Sequence, residues 1–300
     1  MANRGLVVFN PAARRAPDRT RLEAAAAAVP GWEVSLAATE AAGQATELAR
    51  EAAAAGLDAV VACGGDGTVN EVANGLAGSS TALAVVRGGT ANVWAKEIHV
   101  PKPPAKALRL LAEGETRSVD LGRANERYFI LMAGIGFDAF VVQQVGGGMK
   151  RRLGATAYVL HGLRAALRYK AVEAELTVDA AARQSDLYWL LLGNTRNYGG
   201  AIDVTRWARA DDGQLDMMLL RKGGLARIVW FWLLAALRRH RGSANVTYEN
   251  VRSIAVGAPG LAVHVDGESF GETPMRFEVA PAALRVIVPR GLRSPLFAKE

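Results

Sequence analysis

Val60-Val61-Ala62-Cys63-Gly64-Gly65-Asp66-Gly67-Thr68-Val69-Asn70-Glu71-Val72 is an apolar run that breaks into three glycines around one carboxylate. It reads as a buried strand, a loop of phosphate size and a helix start. Glycine admits positive φ and lets a ligand approach the backbone, and a helix N-terminus offers unpaired N–H groups at the positive end of its dipole. Asp66 would repel bare phosphate, so a divalent cation between them is implied, with magnesium the natural choice for a hard oxygen ligand. The competing reading is a plain Gly-Asp-Gly turn between a strand and a helix.

Working outward, residues 1–122 alternate apolar runs with alanine-rich helical segments, the pattern of an α/β nucleotide-binding domain with an open parallel sheet and flanking helices. Leu6 to Phe9 is the expected first strand. A helix over 18–29, a strand over 32–36, a helix over 39–55 and the strand 59–63 follow. The strand 83–86 runs into a second glycine loop, Arg87-Gly88-Gly89-Thr90-Ala91-Asn92. Loops at the carboxyl ends of strands in such a sheet gather on one edge, so both glycine loops should line one site.

Past Asp120 the apolar runs shorten: 128–133, 173–178, 187–192 and 215–220 read as antiparallel strands of a β-rich domain over 123–300. About 15 C-terminal residues are expected to return to the first domain. Gly134 to Asp138 and Tyr198-Gly199-Gly200 read as turns between these strands.

Half of the 300 residues are hydrophobic, enough for a substantial core in two domains. The net charge of +7 suits an anionic partner: a nucleotide, a nucleic acid or an acidic membrane. Cys63 is the single cysteine, which excludes an internal disulfide and a cysteine-based zinc site. The first apolar run stops at Asn10-Pro11, too early for a signal peptide, so a cytoplasmic protein is expected.

The segment 228–237 is the most apolar stretch and is flanked by Arg227 and Arg238-Arg239-His240-Arg241. As a helix it would span ~15 Å against a hydrocarbon core of ~30 Å, so it cannot cross a bilayer. It lies at a membrane interface, or packs on its own domain or on a homodimer partner. The cluster Lys150-Arg151-Arg152 either attracts anionic head groups or ends a solvated helix. It lacks the interleaved aromatics that nucleic-acid binding calls for.

No Gly-Lys-Ser/Thr phosphate loop and no protein-kinase motif occurs. Instead, Gly64-Gly65-Asp66-Gly67-Thr68 resembles the signature of the diacylglycerol kinase catalytic family, shared with sphingosine kinases and more distantly with NAD kinases and phosphofructokinases. The resemblance covers nearly the whole chain and is strongest to soluble bacterial lipid kinases. Its pieces are Asn10-Pro11, Thr39, Gly89-Thr90-Ala91-Asn92, Asp120-Leu121-Gly122, Gly134-Ile135-Gly136-Phe137-Asp138, Asn194 with Tyr198-Gly199-Gly200, Asp212-Gly213-Gln214-Leu215-Asp216 and Asp266-Gly267-Glu268.

The resemblance implies an NAD kinase/diacylglycerol kinase-like fold and an ATP- and magnesium-dependent kinase acting on a lipid hydroxyl, diacylglycerol or a relative, while attached peripherally to an anionic membrane. ATP would meet Asn10, Thr39, Gly64, Gly65, Asp66, Gly67, Thr68, Val69, Asn70, Gly89, Thr90 and Asn92. Glu268 would be the general base, with Asp66 and Asp120 as catalytic carboxylates around magnesium. A second, structural magnesium would sit on the Asp212 carboxylate and the carbonyls of Arg209 and Gln214. The family commonly carries an aspartate where this chain has Val93 and a proline where it has Arg87. A soluble NAD kinase-like enzyme and a noncatalytic lipid- or nucleotide-binding protein are the alternatives.

Overall fold

The apolar run before the glycines forms a strand buried along its whole length, and a parallel sheet is assembled around it. The structure is a computed structural model that describes residues 2–200 and 202–298, with the backbone alone at 145–160 and 242. The side chains of Lys150, Arg151 and Arg152 therefore lie outside the described residues. Contacts divide the chain into unit 1, residues 1–121, 209–212 and 280–300, and unit 2, residues 122–208 and 213–279.

Unit 1 runs β1 (Asn3–Phe9), α1 (Arg19–Ala27), β2 (Trp32–Ala38), α2 (Gln44–Ala54), β3 (Ala59–Gly64), α3 (Asp66–Leu76), β4 (Ala82–Arg87), three short helices α4 (Val93–Glu97), α5 (Pro104–Leu108) and α6 (Leu110–Glu113), and most of β5 (Glu115–Ala124). The order β2-β1-β3-β4 is parallel throughout, with Phe9 opposite both Ala38 and Cys63 and Gly64 opposite Arg87. This is the open parallel sheet that strand–helix alternation implies. Helix α2 begins at Gln44 rather than Thr39, because Gly43 adopts φ +84° and the Gln44 side chain accepts from the Glu40 amide.

Unit 2 contains β6 (Arg127–Phe129), β7 (Met132–Gly136), α7 (Phe137–Arg168), β8 (Val172–Val178), β9 (Ala181–Leu187), β10 (Trp189–Gly193), the two-residue strands β11 (Asn197–Tyr198) and β12 (Ile202–Asp203), β13 (Leu215–Leu220), α8 (Leu225–Ala236), β14 (Val246–Val251), β15 (Ser253–Val256), β16 (Ala262–Val265), β17 (Glu268–Glu272) and the first half of β18 (Met275–Val288). One antiparallel sheet is ordered β14-β13-β10-β7-β16-β17; β18, β15, β8 and β9 form a second antiparallel run. Their inward side chains, among them Ile135, Leu190, Met217 and Val263 from one and Leu176, Ile254, Val256 and Phe277 from the other, make a single core. The second half of β18 pairs in parallel with β4 of unit 1, Val286 opposite Leu83.

Two sequence expectations change here. Gly134 to Asp138 is not a turn: Gly134 and Gly136 lie inside β7 and Phe137 starts α7. A Cβ on Gly134 would run into the His264 ring and the Asp138 carboxylate, so that glycine marks a close approach. Gly136, at φ +86°, turns strand directly into helix. The expected strand 128–133 is two strands, broken at Ile130 and Leu131, whose amides Asp266 captures.

Candidate active site

Strand β3 delivers its chain to α3 with one intervening residue, Gly65. The Val69 amide is bonded back to the Gly65 carbonyl, so the amides of Asp66, Gly67 and Thr68 precede the helix's own hydrogen-bond ladder. The second glycine loop lies backbone against backbone on this corner. The Gly88 amide donates to the Gly64 carbonyl at 2.8 Å, and a Cβ on Gly88 would stand 3.0 Å from the Gly64 Cα. A Cβ on Gly89 would collide with the Gly65 Cα. A side chain is thus crowded out at Gly64, Gly88 and Gly89, while a Cβ on Gly65 would make an ordinary 3.5 Å contact with the Gly89 Cα.

The same edge of the sheet collects Asn10 and Thr39. The Asn10 amide donates to the Cys63 carbonyl and the Thr39 amide to that of Phe9, at 3.0 and 2.9 Å. Asn92, at φ +47°, closes the second loop by accepting from the Gly89 amide and donating to the Gly89 carbonyl. Thr68 and Asn70 are buried on α3, and the Asn70 carbonyl accepts from the Asn74 side chain. Cys63 lies behind the loop with its thiol pushed up to about 12 by burial, which leaves it unreactive.

Asp66 receives the Val93 and Trp94 amides on Oδ1, at 2.7 and 3.3 Å. Burial raises its carboxyl above the usual aspartate range, opposed by the amides of residues 92–94 and the charge of Lys96. Arg87 donates to the Ala95 carbonyl at 3.0 Å. Asp120 is buried; its Oδ1 takes the Ala282 amide at 2.7 Å, and its own amide donates to the Ala210 carbonyl. Arg209 and Asp212 bound a segment of unit 1 whose Ala210 amide bonds the Leu296 carbonyl, while Gln214 belongs to unit 2.

In unit 2 the turn Asp266-Gly267 joins β16 to β17. Asp266 Oδ1 accepts from the Leu131 and Met132 amides and Oδ2 from that of Ile130, at 2.9–3.0 Å. Glu268 opens β17, and Arg127 Nη2 donates to its Oε2 at 2.6 Å. Behind the turn the Gly267 amide donates to His264 Nδ1 at 3.3 Å, which places the ring proton on Nε2, 2.9 Å from Asp138 Oδ2. The Tyr198 hydroxyl donates to the same oxygen at 3.0 Å. Asp138 Oδ1 is buried with no hydrogen-bond partner among the described residues.

The sequence reading gives no role to His264 or Arg127. The signal for His264 was its place in the apolar alternation of Val263 to Val265; for Arg127 there was none. Among the described residues no three His, Cys, Asp or Glu side chains group around a common point. Any magnesium here is therefore held by few carboxylates, with carbonyls, water or phosphate completing its oxygen shell.

A parallel α/β unit presenting two glycine loops, continued by a β-rich unit with an acidic turn, defines a phosphotransferase class rather than an individual enzyme. Residues 4–124 match the model of the diacylglycerol kinase catalytic domain, and residues 132–288 that of the YegS C-terminal NAD kinase beta sandwich-like domain. Curated proteins called diacylglycerol kinase from Staphylococcus aureus strains JH9 and Newman are 32% identical over 287 residues, spanning 92% of this chain and 90% of each relative. A crystal structure described as a diacylglycerol kinase of Bacillus anthracis str. Sterne superposes with a TM-score of 0.76 at 26% identity, over 95% of this chain and 96% of that one. A second from the same organism reaches 0.80 at 27% identity, over 95% of both chains. The chain belongs to the diacylglycerol kinase family of lipid kinases, phosphotransferases with an alcohol group as acceptor.

Proposed function

We propose that this protein transfers the γ-phosphate of ATP, with magnesium, to a hydroxyl of diacylglycerol or a closely related lipid, in the cytoplasm at a membrane surface. The observation that carries the reading is the contact of two glycine loops at the carboxyl edge of a parallel sheet, where Gly64, Gly88 and Gly89 leave no room for side chains and Asp66 opens the helix. Backbone amides of Asp66, Gly67 and Thr68 and the hydroxyls of Thr68 and Thr90 donate to phosphate oxygens. Asn10, Thr39, Gly89 and Asn92 shape the same edge for the nucleotide.

Magnesium supplies neutralisation of the charge on the transferred group. Asp66 and Asp120 are its proposed carboxylates, and the hard oxygens they offer fit it. Arg209 and Gln214, through their carbonyls, and Asp212 would hold a second, structural ion. With Oε2 engaged by Arg127, Glu268 uses Oε1 to accept the proton of the lipid hydroxyl as that oxygen attacks phosphorus, and the bond from phosphorus to the bridging oxygen of ADP breaks.

Radiolabelled γ-phosphate transfer to a panel of diacylglycerol, sphingoid base and polyprenol, run with Glu268→Gln, tests the reading. Diacylglycerol is expected to be phosphorylated, with kcat lowered about a hundredfold or more in the variant and ATP binding kept. A folded wild type that binds ATP yet labels no lipid overturns it. So does a variant as fast as wild type.

A further inference from the structure

Helix α8 has two unlike sides. Ile228, Phe231 and Ala235 are buried, and Trp232 packs at 5.8 Å from the Trp189 ring and 5.5 Å from that of Tyr198. The opposite side shows Val229, Trp230, Leu233 and Leu237, which are 52, 57, 48 and 58% exposed. Those four positions fall within about 100° of the helix circumference, so they form one apolar face. Beside it a groove of about 360 Å³, lined in part by Leu220, Trp230, Leu234 and Val246 with Arg227 among its walls, extends the apolar surface.

Charge decides what covers this face. Arg221, Lys222, Arg227, Arg238, Arg239 and Arg241 are all exposed, and no Asp or Glu occurs from 221 to 241. Arg221 and Arg227 hydrogen-bond to the carbonyls of Ala244 and Gly223, which leaves their charge uncancelled. Arg241 lies 4.7 Å from the centre of the partly exposed Trp207 ring, adding an aromatic and cationic margin. A second copy docked face to face would bring two such cationic sets together, and like charges oppose that contact. An anionic bilayer matches both the apolar face and its rim. At 12 residues the helix spans ~18 Å, short of the ~30 Å hydrocarbon core, so it lies in the surface plane.

We propose that the exposed face of α8, carrying Val229, Trp230, Leu233 and Leu237 within a rim of arginines, docks this protein on anionic phospholipid. The proposal deepens the lipid-kinase reading and rests on it for its purpose, since a water-insoluble acceptor is met at a surface.

The test uses the full chain with phosphatidylcholine vesicles made with and without phosphatidylglycerol. Wild type is expected to co-sediment with the anionic vesicles alone and to be released by salt. The double variant Trp230→Glu, Leu233→Glu should bind at least about tenfold more weakly, with unchanged thermal melting because both residues are already exposed. The pair Arg238→Ser, Arg239→Ser should lose about tenfold or more at low salt. Transfer to a short-chain diacylglycerol dissolved in water should be unaltered in both variants.

Wild type that ignores anionic vesicles at low salt, or a Trp230/Leu233 variant that binds as wild type does, overturns the proposal. A wild-type dimer converted to monomer by that variant, with vesicle binding unchanged, overturns it in favour of self-association. Vesicle binding without phosphate transfer to the dissolved lipid instead sinks the kinase reading and leaves the docking face standing.

Discussion

Asp66 holds a carboxylate where burial opposes charge, and burial outweighs the amides of Val93 and Trp94 that favour it. Its pKa in the fold is raised above the unfolded value. The folded chain therefore binds more protons between the two values, and stability falls as pH rises from the ordinary aspartate range, near ~4, through the raised one. Asp66→Asn should remove that slope, melt no lower than wild type at neutral pH without metal, and show none of the upward shift in melting temperature that the proposed magnesium site predicts for wild type; calorimetry at acid and neutral pH reads all three. Transfer should fall about a hundredfold or more.

His264 is a second test at this scale. His264→Ala strips a buried hydrogen bond from Asp138 and should lower unfolding stability by about 2–4 kcal/mol in urea titrations. The settings of Asp66 and Glu268 were legible because they are local: a strand, glycines and a helix start, or a tight turn. His264 and Arg127 were not, because their partners Asp138 and Glu268 are 126 and 141 residues away in the chain.

At the scale of elements, one side chain decides where two strands end. Asp266 takes three consecutive amides at 130–132, so β6 cannot run into β7. Asp266→Ala leaves those donors with water or nothing and should cost about 2–4 kcal/mol, whereas Asp266→Asn keeps one acceptor and should cost less; chemical denaturation separates the two. Strand positions in unit 1 were readable because parallel strands are continuous apolar runs. The break at 130–131 was not, since Ile130 and Leu131 have strand composition and the residue that interrupts them lies far along the chain. Helix α7 is the least legible element of unit 2. Its first half carries Gly146-Gly147-Gly148, a poor helix former by propensity, yet the helix runs from Phe137.

For the whole molecule, the divided makeup of unit 1 matters most. Segment 280–300 supplies the half of β18 beside β4 and buries Leu284, Val286, Val288, Leu292, Leu296 and Phe297. Each such side chain contributes about 2 kcal/mol, so together they rival the ~5–15 kcal/mol net stability of a domain. A chain ended at Val279 should lack cooperative melting and ATP protection, as read by circular dichroism with and without ATP; a truncated chain that melts in one sharp step contradicts this. The α/β and β-rich division was legible in how apolar runs shorten past Asp120. The placement of 209–212 in unit 1 was not, because it rests on the Asp120, Ala210 and Leu296 backbone bonds.

The pairing of β18 with β4 also sets a clock. During synthesis the glycine corner at 64–67 leaves the ribosome more than two hundred residues before Val286, the partner of Leu83, is made. The nucleotide edge then waits beside an open strand, exposed to mispairing with neighbouring chains, until β18 has been made. Premature stops and slow codons between the stretches that encode β4 and β18 therefore threaten the earlier-made of the two most.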